Sequence, residues 1–381
     1  MHIRAASFRI KGIVFILSLF TAGFLGGQTC DNSWAEAGGP WTGINLYGVI
    51  YGPDDDIFVA VGDGIYTSED SLTWTLRDPD PDITETLFDI TYGGGIFVAV
   101  GASGTIVTSP DGINWTKQSS WTTYDLYGVA YGNSLFIAVG DFSIIRRSSD
   151  GTSWNSDPGA SGPVFRDIAW GNGQFVLVGN MGIMTSPDGF SWAPKLPPGD
   201  FRGVAYGASY GWVVVGPGGT IKTSPYGNNW TARTSPTTND LNAVTSGDSS
   251  YHSYVYVAAG EDGTIISSAN GSSWNTRSSG TGSDINGAGY QGGQFLCPGN
   301  AALRRSGPVL SASPLNWDAP PEGGSTSINV TDSPCGVSIL YTRSENDPEG
   351  FITLGSYSGS TPGSFSVNAS ENDSGSARSA S

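Results

Sequence analysis

Histidine and cysteine, the residues most often used for nucleophilic catalysis and metal binding, are scarce in this sequence. Among 381 residues the histidines are His2 and His252, and the cysteines are Cys30, Cys297 and Cys335. A Ser-His-Asp triad would depend on His252 alone, because His2 falls in a segment interpreted below as a signal peptide. A zinc site with several histidines cannot be built. We therefore predict neither a metal site nor a cofactor.

Carboxylates are the abundant groups that could do chemistry. The chain has 34 acidic and 17 basic residues, with a formal net charge of −17. Two carboxylates on either side of a glycosidic bond are the usual machinery of glycoside hydrolysis, and Asp200 and Asp240 are the pair to test first. The same charge disfavours a polyanionic partner, so we expect no nucleic-acid binding.

The elements that would position these residues repeat along the chain. One unit has strand-like segments at residues 126–132, 136–140 and 144–148, and it closes with a turn that ends at Trp154. Closing tryptophans recur at spacings of 38 to 44 residues, at Trp74, Trp115, Trp154, Trp192, Trp230, Trp274 and Trp317. Units of this length with four short strands are typical of propeller blades. We predict an all-β, seven-bladed β-propeller over residues 42–320, whose closure removes exposed sheet edges.

The turn before each closing tryptophan has a recurrent composition, as in Ser109-Pro-Asp-Gly-Ile-Asn-Trp115. An Asp or Asn accepts the backbone N–H groups of the turn, Gly takes a positive φ, and Trp fills the blade. The positions with this structural role are Asp70, Trp74, Asp111, Trp115, Asp150, Trp154, Asp188, Trp192, Trp230, Asn270 and Trp274.

This turn resembles the Asp-box (BNR) repeat of sialidases, sortilin-type receptors, photosystem II assembly factors and xyloglucan-cleaving glycosidases. Six recognisable copies imply a propeller of the sialidase-like and photosystem II assembly factor-like superfamily. Sialidases also need a Phe/Tyr-Arg-Ile-Pro motif, and its counterpart here, Phe8-Arg-Ile-Lys11, falls in the predicted signal peptide. Three further arginines, Arg77, Arg233 and Arg277, follow a box tryptophan by three residues, which places them on outer strands. Sialidase activity is therefore not expected.

The N-terminus is typical of a Sec-type signal peptide. Three cations precede an apolar run over residues 13–25, and two glycines follow it. We predict a signal peptide over residues 1–27 and a secreted, periplasmic or cell-surface location, so that the membrane is met only through the export signal. The alternative is an uncleaved N-terminal anchor.

Residues 28–41 form a lead-in strand before the ring. Asp31-Asn-Ser-Trp34 looks like the tail of an eighth box. This segment either supplies an outer strand to the last blade and fastens the ring, or packs on the first blade as an ordered lead-in.

After Pro320-Pro321 the pattern changes to alternating apolar and polar residues, as in half-buried strands. The order of these strands resembles a BACON-type domain, an Ig-like β-sandwich often appended to extracellular bacterial proteins. Phe351 stands where that family usually has Trp, and Ser374-Gly-Ser-Ala-Arg378 matches its Gly-x-x-Arg turn. The resemblance implies a partial, apparently truncated sandwich over residues 322–381 and a contact with carbohydrate or mucin.

Alignment of the repeats singles out two positions at the start of each first strand, on the face opposite the boxes. One position holds Tyr47, Phe88, Tyr127, Arg166, Arg202, Asn242 and Asn286. Two residues earlier lie the carboxylates Asp125, Asp200, Asp240 and Asp284. We expect both sets to ring the mouth of the central channel, where aromatic, cationic and amide groups suit sugar or peptide recognition. The alternative is that they pack blade against blade and solvate the hairpins.

From these features we predict a non-catalytic, monomeric binding or adhesion propeller that recognises a glycan or a cell-surface or envelope protein. Two alternatives stay open. One is a glycoside hydrolase, sialidase-like or using two rim carboxylates. The other is an assembly factor for an envelope protein complex, which should show a basic groove built from Arg166 and Arg202.

Overall fold

The computed structural model describes the chain over residues 34–77, 83–156, 162–247, 255–291 and 294–306. Outside these ranges it describes only short stretches of strand backbone. The chain divides into two compact units, one spanning Asp31–Gly307 and the other made of Met1–Cys30 and Pro308–Ser381.

The unit Asp31–Gly307 is a ring of seven antiparallel sheets, each of which is one blade. The first strands are Leu46–Gly52, Leu87–Gly93, Leu126–Gly132, Phe165–Gly171, Gly203–Gly207, Leu241–Ser246 and Gly289–Gln291. The second strands are Ile57–Gly62, Ile96–Gly101, Leu135–Gly140, Gln174–Gly179, Gly211–Gly216, Tyr256–Gly260 and Gln294–Gly299. The third strands are Ile65–Ser68, Ile106–Ser109, Ile145–Ser148, Gly182–Ser186, Thr220–Ser224, Ile265–Ser268 and Ala302–Ser306. The fourth strands are Thr75–Arg77, Thr116–Gln118, Ala193–Leu196, Thr231–Arg233, Asn275–Arg277 and Trp34–Glu36.

The predicted all-β, seven-bladed propeller is confirmed, and the described residues contain no α-helix. Second strands such as Ile57–Gly62 are buried at every position because each blade is covered on both faces by its neighbours. This explains their continuous runs of Val, Ile and Ala, where a strand with one solvated face would alternate. The first strands of successive blades pack against one another around the ring, and that of the seventh packs against that of the first.

The seventh blade takes its outer strand from the N-terminal side of the ring. Trp34–Glu36 pairs antiparallel with Ala302–Ser306, with Ala35 opposite Arg305. The lead-in segment thus supplies the outer strand that fastens the ring, and it also packs on the first blade, where Trp41 contacts the rings of Tyr66 and Trp74. Trp34 is buried between the sixth and seventh blades, in the place that other blades give to a box tryptophan. Trp317, which the repeat pattern assigns to the seventh unit, lies outside the described residues.

The third blade has three assigned strands, and a single residue substitutes for the fourth. The backbone N–H of Asn155 donates to the carbonyl of Arg147 at 3.1 Å. The side-chain Oδ1 of Asn155 accepts from the backbone N–H of Arg147 at 2.7 Å. One asparagine thus satisfies both backbone groups that an outer strand would otherwise pair.

The box turns hold neighbouring blades together. Asp111 Oδ1 accepts the backbone N–H groups of Ile113 and Asn114, both at 2.8 Å. Partial burial acts against the charge of Asp111, but the hydrogen bonds from Asn114 outweigh it and lower the pKa of this carboxyl to about 2. Gly112 follows at a φ of 71°, and Trp115 Nε1 donates to its carbonyl at 2.9 Å. The ring of Trp115 is buried against second-strand residues of the first blade.

In the other unit, Ala6–Ile10 and Ile13–Ser18 form an antiparallel hairpin, and the latter also pairs with Ser338–Thr342. Two further pairs are Ser311–Ala312 with Val330–Thr331 and Gly350–Leu354 with Val367–Glu371. Apart from these strands, the predicted signal peptide and the predicted sandwich lie outside the described residues. No helix in the described part of the chain is long and apolar enough to cross a membrane.

Candidate ligand-binding surface

The channel-mouth face is the end of the ring at which the first strands begin. In the first blade Leu46 lies opposite Gly62, and Val61 lies opposite Ile65. The start of a first strand therefore shares one end of the blade with the turn between the second and third strands. The boxes connect third and fourth strands, so they lie at the opposite end.

Three aromatic rim residues form a continuous arc on this face. The ring centroids of Tyr47 and Phe88 are 5.5 Å apart with the rings nearly perpendicular. Those of Phe88 and Tyr127 are also 5.5 Å apart, with the rings stacked. All three side chains are half-buried. They therefore keep faces and edges that a ligand can contact.

The tyrosines of this arc are held neutral. Burial, followed by the charges of Asp141 and Asp125, raises the pKa of Tyr127 to about 12. Burial and the charge of Asp63 raise the pKa of Tyr47 as well. Both phenols stay protonated at neutral pH, which suits hydrogen bonding and stacking better than nucleophilic attack.

The two arginines that continue the rim are engaged by carboxylates of the next blade. Arg166 Nε lies 3.2 Å from Asp200 Oδ1. Arg202 Nη2 lies 2.6 Å from Asp240 Oδ2, and its Nη1 donates to Asn242 Oδ1 at 2.8 Å. These pairs link the fourth blade to the fifth and the fifth to the sixth.

The two asparagines close the rim back to the first blade. Asn242 Nδ2 donates to the carbonyl of Ile285 at 3.1 Å. Asn286 Nδ2 donates to the carbonyl of Leu46 at 3.0 Å and to Asn300 Oδ1 at 2.8 Å. For Asn242 and Asn286, packing between blades is therefore part of the role.

Three of the four predicted rim carboxylates cap turns of the preceding blade. Asp125 accepts the backbone N–H of Ser103 at 2.8 Å. Asp240 accepts that of Gly218 at 2.8 Å, and Asp284 accepts that of Asp262 at 3.0 Å. The backbone residues that donate all have positive φ. Asp200 pairs with Arg166, whereas Asp240 both caps a turn and pairs with Arg202.

Two carboxylates that the sequence reasoning passed over lie one position further along the first strands. Asp89 and Asp167 occupy the position that is Gly48 and Gly128 in the preceding blades. A Cβ on Gly48 would lie 3.1 Å from the Cα of Asp89, so glycine lets the next blade approach closely. The signal in the sequence was an acid at a place that alternate repeats give to glycine.

These carboxylates reach across to the following blade. Asp167 Oδ1 accepts the N–H of Ile168 at 2.7 Å, and its Oδ2 accepts that of Val204 at 2.8 Å. Burial raises the pKa of Asp89 to about 7. Burial and the charge of Asp89 raise that of Asp167. Both residues keep some accessible surface although they lie deep in the protein, which places them along the channel.

The remaining candidates that the structure describes contribute little chemistry. His252 lies outside the described residues. Cys297 is buried in the seventh blade, where burial raises the pKa of its thiol and makes it inert. Arg77, Arg233 and Arg277 are on outer strands, where each Nε donates to a third-strand hydroxyl at 2.6 to 2.7 Å. Within the described residues no three His, Cys, Asp or Glu side chains are grouped to hold a metal ion.

Comparison with known proteins supports the fold. Neither a protein-family model nor a curated protein sequence matches the chain. A structure of YCF48 from Cyanidioschyzon merolae is similar at 16% identity, with a TM-score of 0.57 over 72% of this chain and 98% of that chain. The GH74 xyloglucanase from Xanthomonas campestris is similar at 14% identity, with a TM-score of 0.55 over 79% of this chain and 60% of that chain. The Pan2 WD40 domain from Neurospora crassa is similar at 11% identity, with a TM-score of 0.56 over 76% of this chain and 98% of that chain.

Likeness at these identities shows the fold alone, and the three neighbours differ in what their names describe. The chain is thus a seven-bladed β-propeller, and its channel mouth presents an aromatic arc, two paired arginines and two amides.

Proposed function

We propose that the protein is a non-catalytic binding propeller that acts outside the cytoplasm. Its channel-mouth rim recognises a glycan or a surface or envelope protein. The extracytoplasmic location rests on the predicted signal peptide over residues 1–27.

One observation carries the proposal, namely that the aligned rim position is filled differently around the ring. The same place in the first strand holds aromatic residues in three blades, arginines in two and asparagines in two. The box tryptophans, which have the same structural role in each blade, keep one residue type. The half-buried aromatic arc is the part of the rim best suited to contact a ligand.

The arrangement of charges supports binding over hydrolysis. Asp200 and Asp240 face Arg166 and Arg202 within hydrogen-bonding distance. The carboxylate oxygens that hydrolysis would need are thus engaged in links between blades and not directed at a ligand. The same pairing neutralises the two arginines on which a basic groove would depend, so an assembly-factor function draws less support.

The test combines binding and activity on the full chain. Glycan arrays and envelope-protein pull-downs would be probed with the protein and with Phe88→Asn, which gives the second blade the residue type of the sixth. We expect Phe88→Asn to weaken binding about tenfold because a stacking surface is removed. Tyr226→Ser is the matched control, since Tyr226 is exposed on the box face.

Hydrolysis assays on the glycans that bind would show whether the protein is an enzyme. Release of reducing sugar that is lost in Asp200→Asn or Asp240→Asn would overturn the non-catalytic proposal. Equal binding by Phe88→Asn and the unaltered protein would overturn the rim as the binding surface.

A further inference from the structure

An exposed aromatic patch lies on the channel-mouth face, between the second and third blades and outside the rim. It consists of Tyr124 and Phe142, which are 49% and 44% exposed, together with Trp121, which is 64% exposed and lies three residues before Tyr124 in the same loop. The rings of Tyr124 and Phe142 are in contact, with centroids 4.6 Å apart. None of the three belongs to the aligned rim position or to a box.

The loop that carries Trp121 and Tyr124 has the same hydrogen bonds as an equivalent loop that lacks aromatic residues at these two places. Ser120 Oγ donates to the carbonyl of Thr122 at 3.2 Å, and Tyr124 N donates to Thr122 Oγ1 at 3.1 Å. The loop after the sixth blade repeats both bonds: Ser279 Oγ donates to the carbonyl of Thr281 at 3.1 Å, and Ser283 N donates to Thr281 Oγ1 at 3.0 Å. At the matching places it has Gly280 for Trp121 and Ser283 for Tyr124. The loop conformation therefore does not require the aromatic side chains.

Two members of the patch also have backbone conformations that disfavour large side chains. Trp121 has a φ of 55°, and its counterpart Gly280 has a φ of 71°. Phe142, in the middle of a 3-10 turn, has a φ of 53°. The residue at the same place in the fifth-blade turn is Gly218, with a φ of 64°. A bulky residue in the left-handed region is strained, and such strain concentrates at binding sites.

The surroundings of the patch are acidic on its inner side. Asp125 follows Tyr124 directly, and Asp141 precedes Phe142 in its turn. Tyr127 Oη lies 3.5 Å from a carboxylate oxygen of each acid. The cation that faces this group, Arg166, is paired with Asp200 at 3.2 Å. Exposed rings beside two carboxylates favour a ligand that is both apolar and positively charged.

We propose that the aromatic patch docks a protein segment that presents a Lys or Arg side chain among apolar residues. The cation would lie over the rings and beside Asp125 and Asp141. Arg147 already makes such a contact elsewhere in the molecule, with its guanidinium 5.2 Å from the centre of the Phe190 ring. The inference rests on the proposed binding function and specifies the chemistry of the partner.

Charge separates this partner from two others. A second copy of the chain would carry the same net charge of −17, which opposes association. An acidic sugar would be repelled by the two carboxylates, and a neutral sugar would gain only hydrogen bonds from them. A basic, apolar segment gains from both the rings and the charges.

The test uses the full chain and defined probes. Short extended peptides with Lys or Arg among apolar residues are compared with the same peptides carrying Gln at each cation, and a glycan array is run in parallel. The variants are Trp121→Gly and Tyr124→Ser, which install the residues of the sixth-blade loop. Tyr226→Ser on the box face is the control. We expect cationic peptides to bind, with about tenfold loss in each patch variant, no loss in the control and weaker binding at higher salt.

Three results would contradict the inference, and they separate it from the proposed function. If the patch variants bind as the unaltered chain does while Phe88→Asn loses binding, the patch is not the docking surface although the rim stands. If the patch variants lose a glycan and no peptide binds, the partner class is wrong. If neither the patch variants nor Phe88→Asn lose any ligand, both proposals fail.

Discussion

The carboxylate of Asp89 in the second blade accepts a hydrogen bond from the backbone N–H of Val129 in the third blade, at 2.8 Å. Its other oxygen accepts the N–H of Ile90 at 2.8 Å. Asp167 makes the same two contacts between the fourth and fifth blades. Alternate blades are thus joined at the channel by a carboxyl group in a setting that resists ionisation.

The first prediction is that replacement of Asp89 changes how stability depends on pH. The folded pKa is about 7, against about 3.9 for an unfolded aspartate. Below pH about 4 the Asp89 carboxyl is protonated in both the folded and the unfolded state, and its contribution to stability is fully present. This contribution is lost as the pH rises through about 7, because the folded state keeps the proton that the unfolded state has released. Relative to the unaltered chain, Asp89→Asn should gain stability with rising pH across this window, as measured by denaturant unfolding.

Asp167→Asn provides the matched comparison. Because the charge of Asp89 contributes to raising the pKa of Asp167, the double variant should change the pH dependence by less than the sum of the single variants. A stability difference that stays constant between pH about 4 and 8 would show that neither group titrates in this range.

The second prediction concerns closure of the ring. Trp34 is 7% exposed, and its strand completes the seventh blade. Trp34→Ala should lower the free energy of unfolding by about 3–5 kcal/mol, because it leaves a cavity between two blades. Trp121→Ala is the control, and since that side chain is exposed its effect should stay within about 0.5 kcal/mol. Equal effects of the two substitutions would contradict the assignment of Trp34 to the closing strand.

The third prediction concerns the box turn at Asp111. Asp111→Ala removes the acceptor of two backbone N–H groups and should destabilise the protein by about 1–2 kcal/mol. Asp111→Asn should cost less, because Asn270 makes the same contacts in the sixth blade at 2.9 and 3.1 Å. The lowered pKa implies stabilisation that is present above pH about 4 and lost as the pH falls towards 2. Thermal unfolding at several pH values checks both points, and an Asn variant as unstable as the Ala variant would count against the turn mechanism.

The fourth prediction is that Phe142→Asn keeps or raises the melting temperature. Asparagine tolerates the left-handed φ of 53° better than phenylalanine. The side chain that is removed is largely exposed, so little burial is lost. A drop in melting temperature comparable to that of Trp34→Ala would mean that Phe142 supports the fold and is not kept for a ligand.

The ring could be predicted from the sequence because the same pattern of strand and turn residues recurs from blade to blade. The box turn depends on residues close in sequence, such as Asp111 and Gly112. The continuous apolar sequence of the second strands indicates that they are buried on both faces. The origin of the last outer strand was harder to predict. The tail at Trp34 permitted two arrangements, and the strand pairing depends on residues near Arg305 in the last strand of the ring, which are distant in sequence.

The site was predicted in outline only. Alignment of the repeats predicts where the backbone of Arg166 or Arg202 lies along the channel. It does not predict which neighbouring residue the long side chain contacts. The pairing of Arg202 with Asp240 therefore appears only in the structure. Asp89 and Asp167 were missed because their position is glycine in most other blades. The role of this position in blade-to-blade contact comes from packing and is not visible in the sequence.

Hydrogen–deuterium exchange of the full chain, with and without a ligand selected on the arrays, tests most directly which face of the propeller binds. Binding at the channel mouth predicts protection of the turns Ala102–Gly104 and Asp141–Ser143, with unchanged exchange in the box turns around Asp111 and Asp150. Protection confined to the box turns would contradict the account.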